Sequence, residues 1–543
     1  MRNTKLNAVA MACAAFLALS ACGGSDDVSE PSPAAPTSAA LAPDCTAIQK
    51  LAHPNTVIQS AIFVDQGAAG TTSVRMPAHC LVTGEIAPRI GVNGVRYGIG
   101  FELRMPMAWN GRFQFQGGGG VDGTIPLAFG TLRDGVVPAL SQGAAVVTSN
   151  MGHTGTSTRD ASFGVDPQAR IDWGYNAMDK VTVMAKDVVT RFYGKAPSYS
   201  YYVGCSGGGR QGMMMSQRFP TYFDGVVSGA PILEQHAAQV ASMQILQEFQ
   251  AIAPADESGA KILSRAFSDS DLKLVADGVL AKCDALDGAR DGLIENYGAC
   301  SYDVKALQCT GAKQDSCLSE AQVGAFTRVM QGPRNSKGEQ LYPPYPWDTG
   351  IAGWRGNQLG TSTTAVPNSA KYTNQSIRLV FMTPPAPDFD YMKFDFDRDP
   401  PSMQASAAFT TTSGTNYEGF KARGGKTIVY TGISDSLVNP AGVNRWYRNL
   451  VAANGGLEAT QRFARFFNVP GMEHCSGGRA LDRFDPVTAL YDWVEKGVAP
   501  TTLLATGSSF PGRARPVCAY PLIARYTGSG SVDDAANFRC EAP

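Results

Sequence analysis

The 543-residue chain has little net charge and little histidine: 46 Lys and Arg face 47 Asp and Glu, leaving −1 at pH 7, and there are five His. A balance this close to zero excludes a polyanion or an acidic membrane as a partner recognised by bulk charge. No nucleic-acid motif and no internal repeat is present. The N-terminal apolar run, 8–19, falls short of the roughly 20 residues that span a bilayer. The glycine-rich stretches lack the lysine of a phosphate-binding loop.

What is present begins with an export signal. Arg2 and Lys5 precede the apolar run, which ends Leu19-Ser20-Ala21-Cys22 before Gly-Gly-Ser-Asp-Asp. The pattern resembles a bacterial lipobox, so residues 1–22 read as a lipoprotein signal peptide with Cys22 lipidated; cleavage near Ala21 is the alternative. Residues 23–42, rich in Ser, Pro and Ala, read as a flexible tether. The expected location is the periplasm or cell surface, anchored in the outer membrane. Apart from Cys13 and Cys22, ten cysteines remain, an even number that in an exported chain argues for five disulfides. The local pairs Cys283–Cys300, Cys309–Cys317 and Cys518–Cys540 are plausible by spacing.

Stretches with strand character at 100–106, 112–116, 144–149, 198–203 and 225–228 alternate with helical spacing at 175–193 and 211–219. That alternation predicts an α/β fold with a mostly parallel sheet covered on both faces. From 232 to 424 the alternation stops, and turn residues, cysteines and aromatics take over. This segment reads as an inserted lid domain between two parts of the core, 43–231 and 425–543. Strand and helix patterns resume at 426–430, 441–450, 463–469 and 486–495.

The chemistry centres on Gly204-Cys205-Ser206-Gly207-Gly208, where a strand runs into a helix. Gly-x-Ser-x-Gly in that setting is the nucleophile elbow of an α/β-hydrolase. Alone it reads equally well as a plain glycine turn. A Ser nucleophile needs a base and an orienting acid, which follow it in the order acid, then His. Only His236 and His474 follow Ser206, and His474 sits in a turn just after a strand. Asp435 follows the strand at 426–430. Taken singly, Asp435 is a turn or capping Asp and His474 a turn residue; the ordered set is more specific. Cys205 precedes the Ser and Cys475 follows the His. If Ser206 and His474 meet, these cysteines are forced within disulfide reach, with Cα atoms about 6 Å apart.

An oxyanion needs donors. The N–H of Gly207 is one candidate, and the turn 117–120, after the strand at 112–116, supplies the other. In the insert, Asp284, Asp287 and Asp291 lie three and four residues apart among glycines. Hard cations such as Ca²⁺ take such oxygens, although the spacing is not that of an EF-hand and a solvated acidic turn is the simpler reading.

With these residues in place, the chain resembles the tannase and feruloyl esterase family over nearly everything after the tether. The paired motifs GCSGGGRQG and GMEHCSGG carry the likeness. It is strongest to the branch that hydrolyses the mono(2-hydroxyethyl) ester of terephthalic acid, on FGVDPQARIDWGYN, GMMMSQRFP, CDALDGARDGLIENY, MKFDFDRDP and CAYPLIARYTGSGSVDDAANFRC. The resemblance implies Ser206 as nucleophile, His474 as base and Asp435 as its orienter, with Gly120 and Gly207 donating to the oxyanion. It implies structural Ca²⁺ on Asp284, Asp287, Asp291 and the carbonyls of Ala289 and Leu293, and no organic cofactor. It implies five disulfides, including Cys45–Cys80 and Cys205–Cys475. The expected activity is serine carboxylesterase, with an aromatic acyl group and a small alcohol, by a monomer. Feruloyl esterase or tannase activity on plant phenolic esters is the alternative, and a non-catalytic lipoprotein binding an aromatic ligand is a third reading. Two departures stand out: Gly207 replaces a Glu of that branch, and the segment 354–381 is shorter. There the branch's Trp and carboxylate-binding Arg lack clear equivalents, leaving Arg378 and Lys371 as stand-ins.

Overall fold

The strand that ends in Cys205 lies inside a nine-stranded sheet. In chain order the strands are β1 (Thr56–Val64), β2 (His79–Ile90), β3 (Arg96–Pro106), β4 (Arg112–Gln116), β5 (Ala145–Ser149), β6 (Tyr199–Cys205), β7 (Gly225–Gly229), β8 (Lys426–Gly432) and β9 (Ala464–Val469). Their spatial order is β1-β2-β3-β5-β4-β6-β7-β8-β9. From β5 through β9 every pairing is parallel, whereas β1 with β2, β2 with β3, and β3 with β5 pair antiparallel. The computed structural model describes residues 44–68, 74–133, 135–361 and 366–543. The signal peptide, Cys22 and the tether lie outside them. Pro43–Pro543 form one compact unit.

Side-chain alternation builds two cores from the same strands. Tyr202, Val226, Val429 and Phe466 enter one cluster; Tyr201, Val203, Val227, Ile428, Tyr430, Phe467 and Val469 enter another. A sheet buried on both faces must read as near-continuous apolar runs, which is why β6 to β9 were visible in the sequence. The antiparallel strands β1 and β2 were not anticipated. β1 is an edge strand and mostly half-exposed, so its pattern is diluted.

The crossovers carry α1 (Ala177–Tyr193), α2 (Gly207–Arg218), α3 (Pro440–Ala453) and, after β9, α4 (Pro486–Lys496). Between β7 and β8 the described residues form helices and turns and no strand. This insert has its own core of Phe249, Phe267, Leu272, Phe326 and Trp354. It also sends Ile377, Val380 and Phe381 into the first core cluster, together with Phe163 and Trp173. Two short hairpins, Thr502–Thr506 with Ala514–Cys518 and Ile523–Tyr526 with Phe538–Glu541, complete the chain. No helix among the described residues is long and apolar enough to cross a membrane.

Candidate active site

Ser206 stands at the C-terminal end of β6, where the chain turns directly into α2. Its φ of 62° and ψ of −122° are strained for a residue with a Cβ. The strain is held by neighbours: Ser206 N–H donates to Gly229 O at the end of β7 (2.9 Å), and Arg210 N–H donates to Ser206 O (2.9 Å). The turn is tight enough that a Cβ on Gly204 would come within 2.7 Å of the Gly208 backbone, which explains the glycine at that position.

The other two side chains come from the loops after β8 and β9. His474 Nε2 lies 2.7 Å from Ser206 Oγ, and His474 Nδ1 lies 2.8 Å from Asp435 Oδ2. Asp435 Oδ1 accepts N–H bonds from Leu437 (2.8 Å) and Val438 (2.9 Å). Asp435 is 1% exposed, so its charge is met by the imidazole and two amides rather than by water. Burial pushes the His474 imidazole down, but the charge of Asp435 and its hydrogen bond outweigh burial and leave it above the ordinary value of 6.5.

The structure also joins Cys205 to Cys475, with Cα atoms 6.1 Å apart. The remaining pairs are Cys45–Cys80, Cys283–Cys300, Cys309–Cys317 and Cys518–Cys540. Five disulfides fit a chain folded in an oxidising compartment.

The turn after β4 lies against the elbow. A Cβ on Gly207 would sit 2.8 Å from Gly120 O and 3.0 Å from Gly120 N. The two backbones therefore run side by side next to Ser206, and no side chain fits at position 207 without moving the turn. Gly120 has φ of 58°, and a Cβ there would strike Thr158 O.

One supporting residue escaped the sequence reading. Asp348, in the insert, is 1% exposed. Its Oδ2 accepts from Ser434 Oγ (2.9 Å) and from Gly471 N–H (2.7 Å), so one carboxylate ties the Asp435 loop to the His474 loop. Trp354 Nε1–H donates to Ser434 O (3.3 Å) and Gln358 Nε2–H to Ser436 O (2.8 Å). No local motif marks Asp348; only a known triad and the buried acid beside it reveal the role. Both stand-ins for a carboxylate binder lie in the insert. Arg378 donates from Nε to Asn374 O (3.0 Å) and from Nη1 to Pro387 O, tying it to its own segment. Lys371 is exposed on the helix Asn368–Gln375.

In the acidic turn of the insert, Asp284 and Asp287 are buried. Asp284 accepts from Gly292 N–H, Asp287 from Ala289 and Glu295 N–H, and Asp291 from Leu293 N–H and Arg515 Nη2. Burial, reinforced by the charges of Asp291 and Asp284, pushes the Asp287 carboxyl up to about 6. No three His, Cys, Asp or Glu side chains among the described residues converge as a metal cluster. The chemistry of the donor set still fits a hard cation: three carboxylates of one turn, two of them buried close to other acids.

A Ser–His–Asp relay on loops at the C-terminal edge of a mostly parallel sheet, with two backbones beside the Ser, is the arrangement of an α/β-type serine hydrolase. The profile of the family described as tannase and feruloyl esterase matches residues 80–541, and the chain belongs to that family. It is 42% identical over 542 residues to the mono(2-hydroxyethyl) terephthalate hydrolase of Piscinibacter sakaiensis, across 90% of this chain and 89% of that one. It is 30% identical over 427 residues to a probable feruloyl esterase B-2 of Aspergillus flavus, across 75% and 76%. The crystal structure of feruloyl esterase B from Aspergillus oryzae matches with a TM-score of 0.77 at 25% identity, covering 92% of this chain and 99% of that one. Tannin acyl hydrolase from Aspergillus niger shares the fold, with a TM-score of 0.71 at 21% identity over 92% and 95%.

Proposed function

We propose that the protein is a serine carboxylesterase that releases an aromatic carboxylic acid from a small ester. The observation that carries this is the continuous relay from Asp435 through His474 to Ser206 Oγ, beside the Gly120 and Gly207 backbones. His474 takes the Ser206 proton as Oγ attacks the ester carbonyl. The N–H groups of Gly120 and Gly207 take the developing oxyanion, an interaction worth about 3 kcal/mol per donor. His474 then protonates the departing alcohol, and water activated by the same imidazole releases the acid. Asp435 fixes the ring orientation and stabilises the imidazolium.

The substrate reading follows the relatives. One is named for the terephthalate monoester and others as feruloyl esterases, so the acyl part is aromatic. The leaving alcohol is ethylene glycol on the first reading, or the alcohol of a plant phenolic ester on the second. A kcat/KM panel of mono(2-hydroxyethyl) terephthalate, bis(2-hydroxyethyl) terephthalate, methyl ferulate and methyl gallate decides between them. Ser206→Ala should abolish turnover and fluorophosphonate labelling while the melting temperature holds; retained turnover would overturn the assignment.

The acidic turn is read as a structural Ca²⁺ site of Asp284, Asp287, Asp291 and the carbonyls of Ala289 and Leu293. Bound there, the ion would neutralise the clustered carboxylates. Chelation should lower the melting temperature and added Ca²⁺ restore it; indifference to both would remove the site. The N-terminal pattern is read as export with lipidation at Cys22, testable by loss of membrane association in Cys22→Ala.

A further inference from the structure

The turn 117–120 has to hold Gly120 at one distance from Ser206, yet it is built from four glycines, which resist ordering. Something must fix it. Its backbone bonds do part of this: Gly117 N–H donates to Val203 O (2.9 Å), Gly208 N–H to Gly118 O (3.1 Å) and Asp122 N–H to Gly119 O (2.9 Å). One amide side chain adds a tie from the nucleophile's own helix. Gln211, on the first turns of α2, is wholly buried. Its Oε1 accepts from Gly118 N–H (3.3 Å) and from Tyr202 OH (2.7 Å), and its Nε2 donates to both oxygens of Asp122, each at 3.0 Å.

Asp122 closes the circuit. It is 1% exposed and sits at φ of 56°, a left-handed conformation that Asn and Asp tolerate best among residues with a Cβ. Its carboxylate lies against Gly118, where a Cβ would meet Oδ2 at 2.3 Å. Arg210, adjacent to Gln211 and wholly buried, supplies the nearby positive charge while donating to Gly174 O (3.0 Å) and Trp173 O (3.2 Å). A buried carboxyl and a buried amide are costly unless hydrogen-bonded; here the Gln211 amide bonds the turn through Gly118 N–H and is itself held by the Asp122 carboxyl, whose own backbone N–H returns to Gly119 O.

We propose that Gln211, held by Asp122, is the positioning residue that fixes the oxyanion turn relative to Ser206. One helix carries both Ser206 at its start and Gln211 one turn further on. The nucleophile and the turn that stabilises its product are thus referenced to the same rigid element. Gln211 touches no reacting atom; it acts through Gly118 and Asp122 on Gly120. The proposal rests on the esterase reading above.

Transition-state stabilisation and ground-state binding separate it from a merely structural role. Gln211→Ala should lower kcat about 10- to 100-fold, in the range of a misplaced oxyanion donor, with KM changed less than about threefold. Affinity for an arylboronic acid, which forms a tetrahedral adduct on Ser206, should fall by the same factor. Competitive inhibition by the free aromatic acid should not change. Asp122→Ala should behave alike, and Asp122→Asn, which keeps an acceptor for Gln211, should recover most of the loss. Gln211→Glu keeps the volume and the acceptor but sets carboxylate against carboxylate, so it serves if the alanine variant does not fold. Its kcat relative to wild type should decline further as pH rises.

Wild-type protein that turns over no ester and takes no fluorophosphonate would sink the esterase reading itself. With an active wild type, three results overturn the positioning role: unchanged kcat in the Gln211 variants, a flat ratio across pH for Gln211→Glu, or kcat and free-acid affinity falling together with the melting temperature.

Discussion

The two halves of the active centre are built by different means. The nucleophile half is backbone: Ser206 and the turn 117–120 follow the neighbouring strands β6 and β4, and their geometry is set by glycines that let main chains touch. The acid–base half is side chain. Asp435 and His474 follow β8 and β9 at the far edge of the sheet and reach across to Ser206. Their loops are pinned from outside, by Asp348 of the insert and by Cys205–Cys475. A backbone-built half is local and cheap to specify. A side-chain-built half depends on distant segments arriving in place.

The largest test of that division is Asp435→Asn. It leaves the nucleophile half untouched and should lower kcat about 10⁴-fold, because the amide no longer holds the imidazole in the productive tautomer. Burst labelling of Ser206 by a phosphonate should slow in parallel. A loss below about tenfold would mean that the far half does not depend on its acid.

Next comes the cross-link. Cys205→Ala with Cys475→Ala removes the covalent tie between halves that are otherwise joined by the sheet and by the His474–Ser206 hydrogen bond. Loss of a native disulfide costs roughly 2–5 kcal/mol. Thermal unfolding should show it, and kcat should fall while Cys309→Ala with Cys317→Ala, which opens only a short loop of the insert, leaves kcat alone. Equal effects of the two pairs on kcat would erase the distinction.

The same contrast explains what the sequence disclosed. The elbow was visible because Gly204, Ser206 and Gly208 stand within five residues. The far half was visible through the order of Ser206, Asp435 and His474 along the chain and the strands before the last two, and through a coincidence: a cysteine stands beside Ser206 and another beside His474. The strands β6 to β9 were legible because burial on both faces fills their centres with apolar runs such as Tyr201-Tyr202-Val203 and Ile428-Val429-Tyr430. β1 was not, because an edge strand that is largely exposed or half-exposed mixes polar and apolar positions without a clean period, and β2, although largely buried over 79–86, interrupts its apolar residues with His79, Thr83, Gly84 and Glu85. Asp348 was beyond reach altogether. It lies in a segment with no repeating pattern, and its role exists only once two loops from other parts of the chain fold around it.

Asp348→Ala therefore sharpens the comparison at smaller scale. It strips acceptors from Ser434 Oγ, Gly471 N–H and Thr349 N–H, all buried. Leaving such donors unsatisfied costs about 1–3 kcal/mol. Denaturant unfolding should register that loss. Because both loops are loosened while the elbow is not, kcat should drop and the boronate and phosphonate reactivity of Ser206 should drop with it. Stability lost with kcat intact would show that the insert merely supports the fold.

The smallest expected effect is a shift in a pH profile. His474 must be neutral to accept the Ser206 proton. Its imidazole stands above 6.5 because the Asp435 charge and hydrogen bond overcome the burial that pulls it down. The acid limb of kcat/KM should therefore have its midpoint above that value. In Asp435→Asn the opposing charge is gone and burial remains, so the residual activity should show its acid limb moved below 6.5. The stability consequence has a definite sign. A folded-state value raised above the unfolded one contributes stability that is complete below about 6.5 and is lost as pH rises through the folded value. His153 runs the other way: wholly buried against Phe163 without a carboxylate bonded to it, its imidazole is pushed down to about 4 by burial. It contributes stability at neutral pH that is lost as pH falls from about 6.5 toward 4. His153→Leu should flatten the acid side of the stability curve and leave the acid limb of kcat/KM in place. Movement of that limb in the His153 variant would mean that the rate profile reports the fold rather than the triad imidazole.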